Sequence, residues 1–342
     1  MPPVFLTKQT DTYNTRQYLW PLIPNDSLVI TEHVVSAREK ISNWTDFCPE
    51  YNGQTIYYDL SQNPEVLDAP HIASIVSELK QHGPVKIIAN QYGKYYKPEA
   101  DFIFYPAFFH SFSHGTYVDG QVLQFPTFEK KIKPFMSLNH RAVWHRIWVF
   151  VELAKHNLLD KIEYTFFWDP KNDLHNQLDQ LPDHKRKEFK QFEHLLPIRF
   201  EFEKHLAQRA DITLGLKCYT ECAVNIITES CPNLGFLTEK ICKPLASYQI
   251  PILLSYPGAT QFCVDLGFDM FDDIIPWRTW DSVQDDSERY ELTCKFITDY
   301  VTHGDALADW HRCQDRVIAN RERLVSKDLK NFCTRQFKLS SS

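Results

Sequence analysis

Glycine is scarce in this chain, at 10 of 342 residues. Neither GxGxxG nor GxxxxGK[ST] occurs anywhere, which removes the usual fingerprints of dinucleotide-binding and P-loop proteins. Any phosphate bound here has to be met by helix N-termini and basic side chains. Long apolar runs are missing as well. No 18 apolar residues stand in succession, and Met1-Pro-Pro-Val-Phe-Leu-Thr-Lys8 carries no basic stretch followed by an apolar one. Neither a transmembrane segment nor a secretory signal is therefore expected. Positive charge is in deficit, with a formal net charge of −7, so no broad basic field exists to hold nucleic acid. The one short basic run, His184-Lys-Arg-Lys187, is bounded by Asp183 and Glu188 and reads as a solvated helix face or a mobile loop. Nine cysteines lack zinc-site or paired spacing; Cys218 and Cys222 stand four apart with no second pair following. They are expected as reduced thiols in a cytoplasmic protein, and the sequon Asn43-Trp-Thr45 is then expected to stay unmodified.

An apolar fraction of 43% with 24% charged residues is that of a globular protein, and the length suits two domains of ordinary size. Leu28–Thr31, Gln54–Leu60, Val85–Ala89 and Phe102–Tyr105 read as strands, with helical spacing between Pro64 and His82. Strand and helix in alternation predict an α/β fold on parallel sheets. A first domain is drawn over 1–133, its end marked by an aperiodic aromatic segment, His110 to Phe128, which suits acceptor contacts or a long surface loop. The second, 134–285, begins with a strand at Phe135, continues through Ile162–Phe167, is interrupted by a polar insertion near 169–194, and resumes at Ala223–Thr228. Residues 286–342 read as C-terminal helices, with Leu292, Phe296, Ile297, Tyr300 and Val301 on one face.

Gly235-Phe-Leu-Thr-Glu-Lys240 followed by an apolar run and then Ile250-Pro-Ile-Leu-Leu-Ser255 reads as loop, capped helix and buried strand. Thr238 is the expected N-cap, with Glu239 and Lys240 in the first turn. A cation there is opposed by the helix dipole, so Lys240 points to a negative ligand arriving between them; the plain alternative is a lysine reaching into water. Upstream, Pro134-Phe-Met-Ser-Leu-Asn139 is a second strand and loop, followed by His140-Arg-Ala-Val-Trp-His-Arg146. Arg141 and Arg146 both suit bidentate phosphate contacts. Asn139, Glu229 and the Thr238 turn all fall at carboxyl ends of strands, where ligands of open α/β sheets lie.

Taken together, "ITES…FLTEKICKPLASYQIPILLSYPG" resembles the "ENS…YxTEK…(I/V)P(I/V)…G" signature of the α1,3-fucosyltransferase-like family and related short bacterial and viral sugar transferases. The resemblance covers about residues 134–275 by motif. It implies two Rossmann-like domains facing a cleft (the GT-B glycosyltransferase fold), a nucleotide-diphosphate sugar donor such as a GDP- or UDP-sugar, a glycan or other hydroxyl acceptor, and inversion at the transferred carbon. By the same resemblance Asn139, Arg141, Arg146, Thr238, Glu239 and Lys240 bind the donor, with Arg146 and Lys240 on its phosphates and Glu239 on the ribose hydroxyls. Glu229, at a strand end, is expected to face the donor sugar or its phosphates in a catalytic role, the plain alternative being a capping or loop carboxylate. The family's ENS triplet reads Thr228-Glu229-Ser230 here, which leaves the sugar open.

A general base comes from the first domain in that family, and Asp101, Asp119 and Glu129 are the carboxylates available, Asp119 being the one carried forward. His110 and His114, four apart, offer either packing or a base. Asp269, Asp272 and Asp273 invite comparison with metal-binding DxD motifs, yet no obligatory metal is expected, only a conditional effect of Mg²⁺ or Mn²⁺. The competing reading is a non-catalytic α/β scaffold that binds a glycan or nucleotide.

Overall fold

The structure is a computed structural model that describes residues 4–6, 23–24, 27–31, 54–59, 70–89, 101–116, 122–139, 142–167, 177–198, 214, 216–230 and 235–341. It is a mixed α/β protein with parallel sheets and a helical C-terminal region. The chain forms two compact units, one of residues 1–123, 234–237 and 325–342, the other of residues 124–233 and 238–324.

In the first unit β1 (Val4–Leu6), β2 (Leu28–Thr31), β3 (Ile56–Asp59), β4 (Val85–Ala89) and β5 (Asp101–Phe104) pair in parallel, in chain order. Their Val- and Ile-rich runs are those of strands covered on both faces, and Val29, Tyr58, Ile88 and Ile103 are at most 0% exposed. Helix α1 (Pro70–Leu79) joins β3 to β4, inside the stretch where the sequence shows helical spacing. The expectation of an aperiodic segment from His110 is corrected in part: α2 (Ala107–Ser113) is a short helix whose every residue is buried. Three of its seven residues are Ser or His, which hides the apolar stripe that would have announced it. The C-terminal helix Lys327–Ser341 packs against α2 and β5.

In the second unit β6 (Lys133–Asn139), α3 (Trp144–Lys155), β7 (Ile162–Phe166), α4 (Asp183–Phe192), α5 (Lys217–Glu221), β8 (Cys222–Thr228), α6 (Glu239–Ala246) and β9 (Ile250–Leu254) build a second parallel sheet. Its order is β7-β6-β8-β9. The chain therefore leaves β6 in one direction and β8 in the other. Because such crossovers are right-handed, α3 and α6 lie on opposite faces. Pro251 is tolerated because β9 is the last strand in that order, where a missing N–H breaks no ladder. The core around α3 includes Phe150 stacked on Phe166 at 5.4 Å, with Phe189 of α4 against it.

The basic run on α4 is helical but not wholly solvated, which corrects the simpler expectation. Lys185 is buried, lies 5.3 Å from the centre of the Trp148 ring and pairs with Glu152 and Glu188. Beyond β9 come α7 (Ala259–Asp265), α8 (Arg278–Asp281), α9 (Asp286–His303), α10 (Ala306–Arg312) and α11 (Gln314–Leu324). Gly267 closes α7 at φ +87, a backbone conformation that favours glycine. On α9 the buried stripe is Tyr290, Cys294, Ile297, Tyr300 and Val301, while Leu292 is turned outward. Seven described cysteines are buried, and Cys218, Cys222, Cys263, Cys294 and Cys313 are free thiols. No described helix is long and apolar enough to cross a membrane.

Candidate functional site

The order β7-β6-β8-β9 contains one reversal, between β6 and β8. Crossovers to either side part there, and such a topological switch point is where open α/β sheets bind ligands. The sequence-predicted residues Asn139 and Glu229 end or follow those strands, and Arg146 and the Thr238 turn adjoin them.

Thr228 Oγ1 donates to Asn139 Oδ1 at 2.5 Å, bridging β8 to β6, and Asn139 Nδ2 donates to Ser137 Oγ at 3.1 Å. Asn139 is 2% exposed, so its side chain serves as a strut between the strands. Arg146, in the first turn of α3, is buried and its Nη2 reaches the Thr228 carbonyl at 3.4 Å. Its charge also acts on Tyr164, whose phenol is pushed above its ordinary value mainly by burial.

Thr238 caps α6: its Oγ1 accepts from the Lys240 N–H at 3.3 Å. The Glu229 carboxylate lies behind that turn. Its Oε2 accepts from Thr238 Oγ1 at 2.6 Å and its Oε1 from the Thr238 N–H at 3.2 Å. Glu229 is 0% exposed, and burial raises its carboxyl above the ordinary value. The sequence left this group either facing the donor sugar or its phosphates or serving as a capping carboxylate; both oxygens accept from Thr238, where they support the helix start.

Lys240 Nζ donates to Ser230 Oγ at 2.9 Å and to Thr238 Oγ1 at 3.3 Å, and pairs with Glu239 Oε1 at 3.1 Å. The negative charge that its place in the first turn called for is thus supplied in part by its neighbour. Its side chain keeps 25% of its surface exposed. Glu239 is more deeply set. Burial opposes its charge, but Lys240 and Lys243 outweigh it and hold the carboxyl at about 2. Arg146 touches Thr228 and Lys240 touches Ser230, so two cations 94 positions apart in sequence flank the same three-residue strand end. A dianionic group seated at that strand end would be attracted by both.

Asp119 and Arg141 lie outside the described residues. Sequence reasoning passed over His145, whose Nε2 stands 2.6 Å from the Glu229 carbonyl oxygen. Nothing local marks it, because its partner is a carbonyl 84 positions away in sequence. Asp269 and Asp273 are both taken by Arg316, at 2.6 and 2.8 Å, and Asp272 by Arg278 at 3.2 Å. The resemblance to a DxD metal motif therefore ends in guanidinium pairs. In the first unit His110 Nδ1 meets Tyr105 Oη at 2.5 Å and its Nε2 lies 3.3 Å from that of His114. Burial, with His114 and Lys330 nearby, takes the His110 imidazole down to about 3, which leaves it neutral across the physiological range and poorly matched to general base duty.

No family model and no curated protein matches the sequence. Among solved structures, a crystal structure of an alpha1,3-fucosyltransferase is similar to this chain at 12% sequence identity, covering 94% of this chain and 97% of that one, with a TM-score of 0.34. Agreement that loose carries no argument about the fold or the chemistry.

Proposed function

We propose that this chain is a glycosyltransferase that moves a sugar from a nucleotide-diphosphate donor, a GDP- or UDP-sugar, to a glycan or other hydroxyl acceptor. What supports the reading is the convergence of Arg146 and Lys240 on the residue 228–230 strand end at the switch point, beside a capped helix start of eight residues. Cations and helix N–H groups in that arrangement stabilise the charge that builds on a departing diphosphate. Lys240 exchanges part of its pairing with Glu239 for the phosphate, and the Glu239 carboxylate, held ionised, takes the ribose hydroxyls. Arg141, by the family resemblance, adds a second guanidinium. Glu229 acts by holding Thr238, and Asp119 is the carboxylate assigned to deprotonating the acceptor. Mg²⁺ or Mn²⁺ modulates the reaction without being obligatory.

Isothermal titration against GDP, UDP, ADP, CDP and dTDP, followed by the matching sugar nucleotides, tests this. One nucleoside diphosphate should bind, its affinity should fall in Lys240→Ala and in Arg146→Ala, and its sugar should be slowly transferred or hydrolysed. Binding without turnover would favour a non-catalytic scaffold, a reading to which the existing Lys240–Glu239 pair lends some weight. No binding by any of the five would remove both.

A further inference from the structure

His145 occupies the second position of α3, is 1% exposed, and is flanked by the rings of Trp144 and Tyr290 at 5.4 and 6.1 Å between centroids. A carbonyl oxygen only accepts, so the 2.6 Å contact to Glu229 O places the proton on Nε2 and leaves Nδ1 bare. Nδ1 finds no hydrogen-bond partner among the described residues. Burial, reinforced by the charges of Arg146 and Lys240, drives the imidazole far below its ordinary value despite the bond to Glu229. A neutral donor is thus held between two cations, where a third positive charge would be repelled.

We propose that His145 is the positioning residue that locks the β6–α3 turn to the β8–α6 turn and so sets the spacing of the two cations. The connection runs through named atoms. His145 Nε2–H holds the Glu229 carbonyl; the Glu229 carboxylate holds the N–H and O–H of Thr238; Thr238 Oγ1 accepts from the N–H of Lys240. These groups join segments 84 positions apart in sequence. The bare Nδ1, a buried acceptor without a partner among the described residues, marks a side chain placed for one contact and not for full satisfaction. As far as nucleotide affinity is concerned, the inference rests on the diphosphate reading above; as far as backbone order is concerned, it does not.

Two substitutions separate donor placement from mere loss of bulk. In His145→Gln an N–H sits at the depth of Nε2, and in His145→Asn at the depth of Nδ1. Hydrogen exchange of the ligand-free full chain is read over residues 235–246, with the β4 segment 85–89 as the internal control. Titration with whichever nucleoside diphosphate the wild type binds gives the second readout. The Asn variant should exchange faster over 235–246 alone, and its nucleotide affinity should drop about tenfold, the effect of one buried carbonyl losing its donor. The Gln variant should match wild type in exchange and stay within about twofold in affinity. Equal behaviour of the two variants, or unchanged exchange in the Asn variant, overturns the assignment. If the wild type binds no nucleotide while exchange still separates Asn from Gln, the positioning role stands and the diphosphate reading fails.

Discussion

The two sheets are built from the same kind of strand and differ in what their order allows. The first runs β1 to β5 in chain order, so among the described strands every crossover steps the same way and no crevice opens between diverging connections. The second runs β7-β6-β8-β9, and its single reversal parts the connections between β6 and β8. Around that point stand Asn139, His145, Arg146, Thr228, Glu229, Thr238 and Lys240, tied to one another by hydrogen bonds. A binding site in this class of fold is therefore a property of connectivity, and Val- and Ile-rich composition alone does not announce it.

That contrast can be broken in several ways. The largest expected effect is on the core beneath the switch point. Phe150→Ala removes a fully buried ring stacked on Phe166 and should cost about 3–5 kcal/mol in denaturant unfolding, against roughly 0.5–1.5 kcal/mol for Ile88→Val in β4 of the first sheet. Next comes a pH effect. Glu239 has an ordinary value of 4.5 and is held at about 2 in the fold, so its stabilisation is fully present above 4.5 and is lost as pH falls toward 2. At neutral pH Glu239→Gln should remove about 3 kcal/mol, and the gap between wild type and variant should close across that acid window. Persistence of the gap below pH 2 would reject the assignment.

Smaller effects concern the switch point and the surface. Lys240→Ala and Arg146→Ala should each weaken nucleoside diphosphate binding by about 2 kcal/mol, near thirtyfold. Asp59→Asn, at the carboxyl end of β3 in the sheet without a reversal, should leave that affinity unchanged; an equal loss there would erase the distinction between the two sheets. The smallest shift is expected for Asp272→Ala. Its pair with Arg278 is exposed on both sides, at 51% and 60%, and such pairs contribute about 0–1 kcal/mol.

Much of the local structure was legible in residue order. The Thr238 cap follows from a hydroxyl residue ahead of an amphipathic run, and the strands at Leu28, Val85 and Cys222 follow from their β-branched content. Other features were hidden because their partners come from distant positions. Lys185 reads as a surface cation until Trp148 and Glu152 of α3 are placed beside it. Asp269 and Asp273 invite comparison with metal-binding motifs until Arg316 arrives from 47 and 43 positions downstream. His145 carries no signal of its own, since its significance lies in a carbonyl 84 positions away.

Residue order alone determined the periods of strand and helix, the helix cap, and the absence of any glycine-built phosphate loop, because each depends on backbone and side-chain preferences within a few neighbouring residues. Only the tertiary structure decided the strand order of the second sheet, the inward turn of Glu229, and the approach of Arg146 and Lys240 to one strand end. Those outcomes arise from long-range pairing and from the demand that buried polar groups find partners, which no local window of sequence contains.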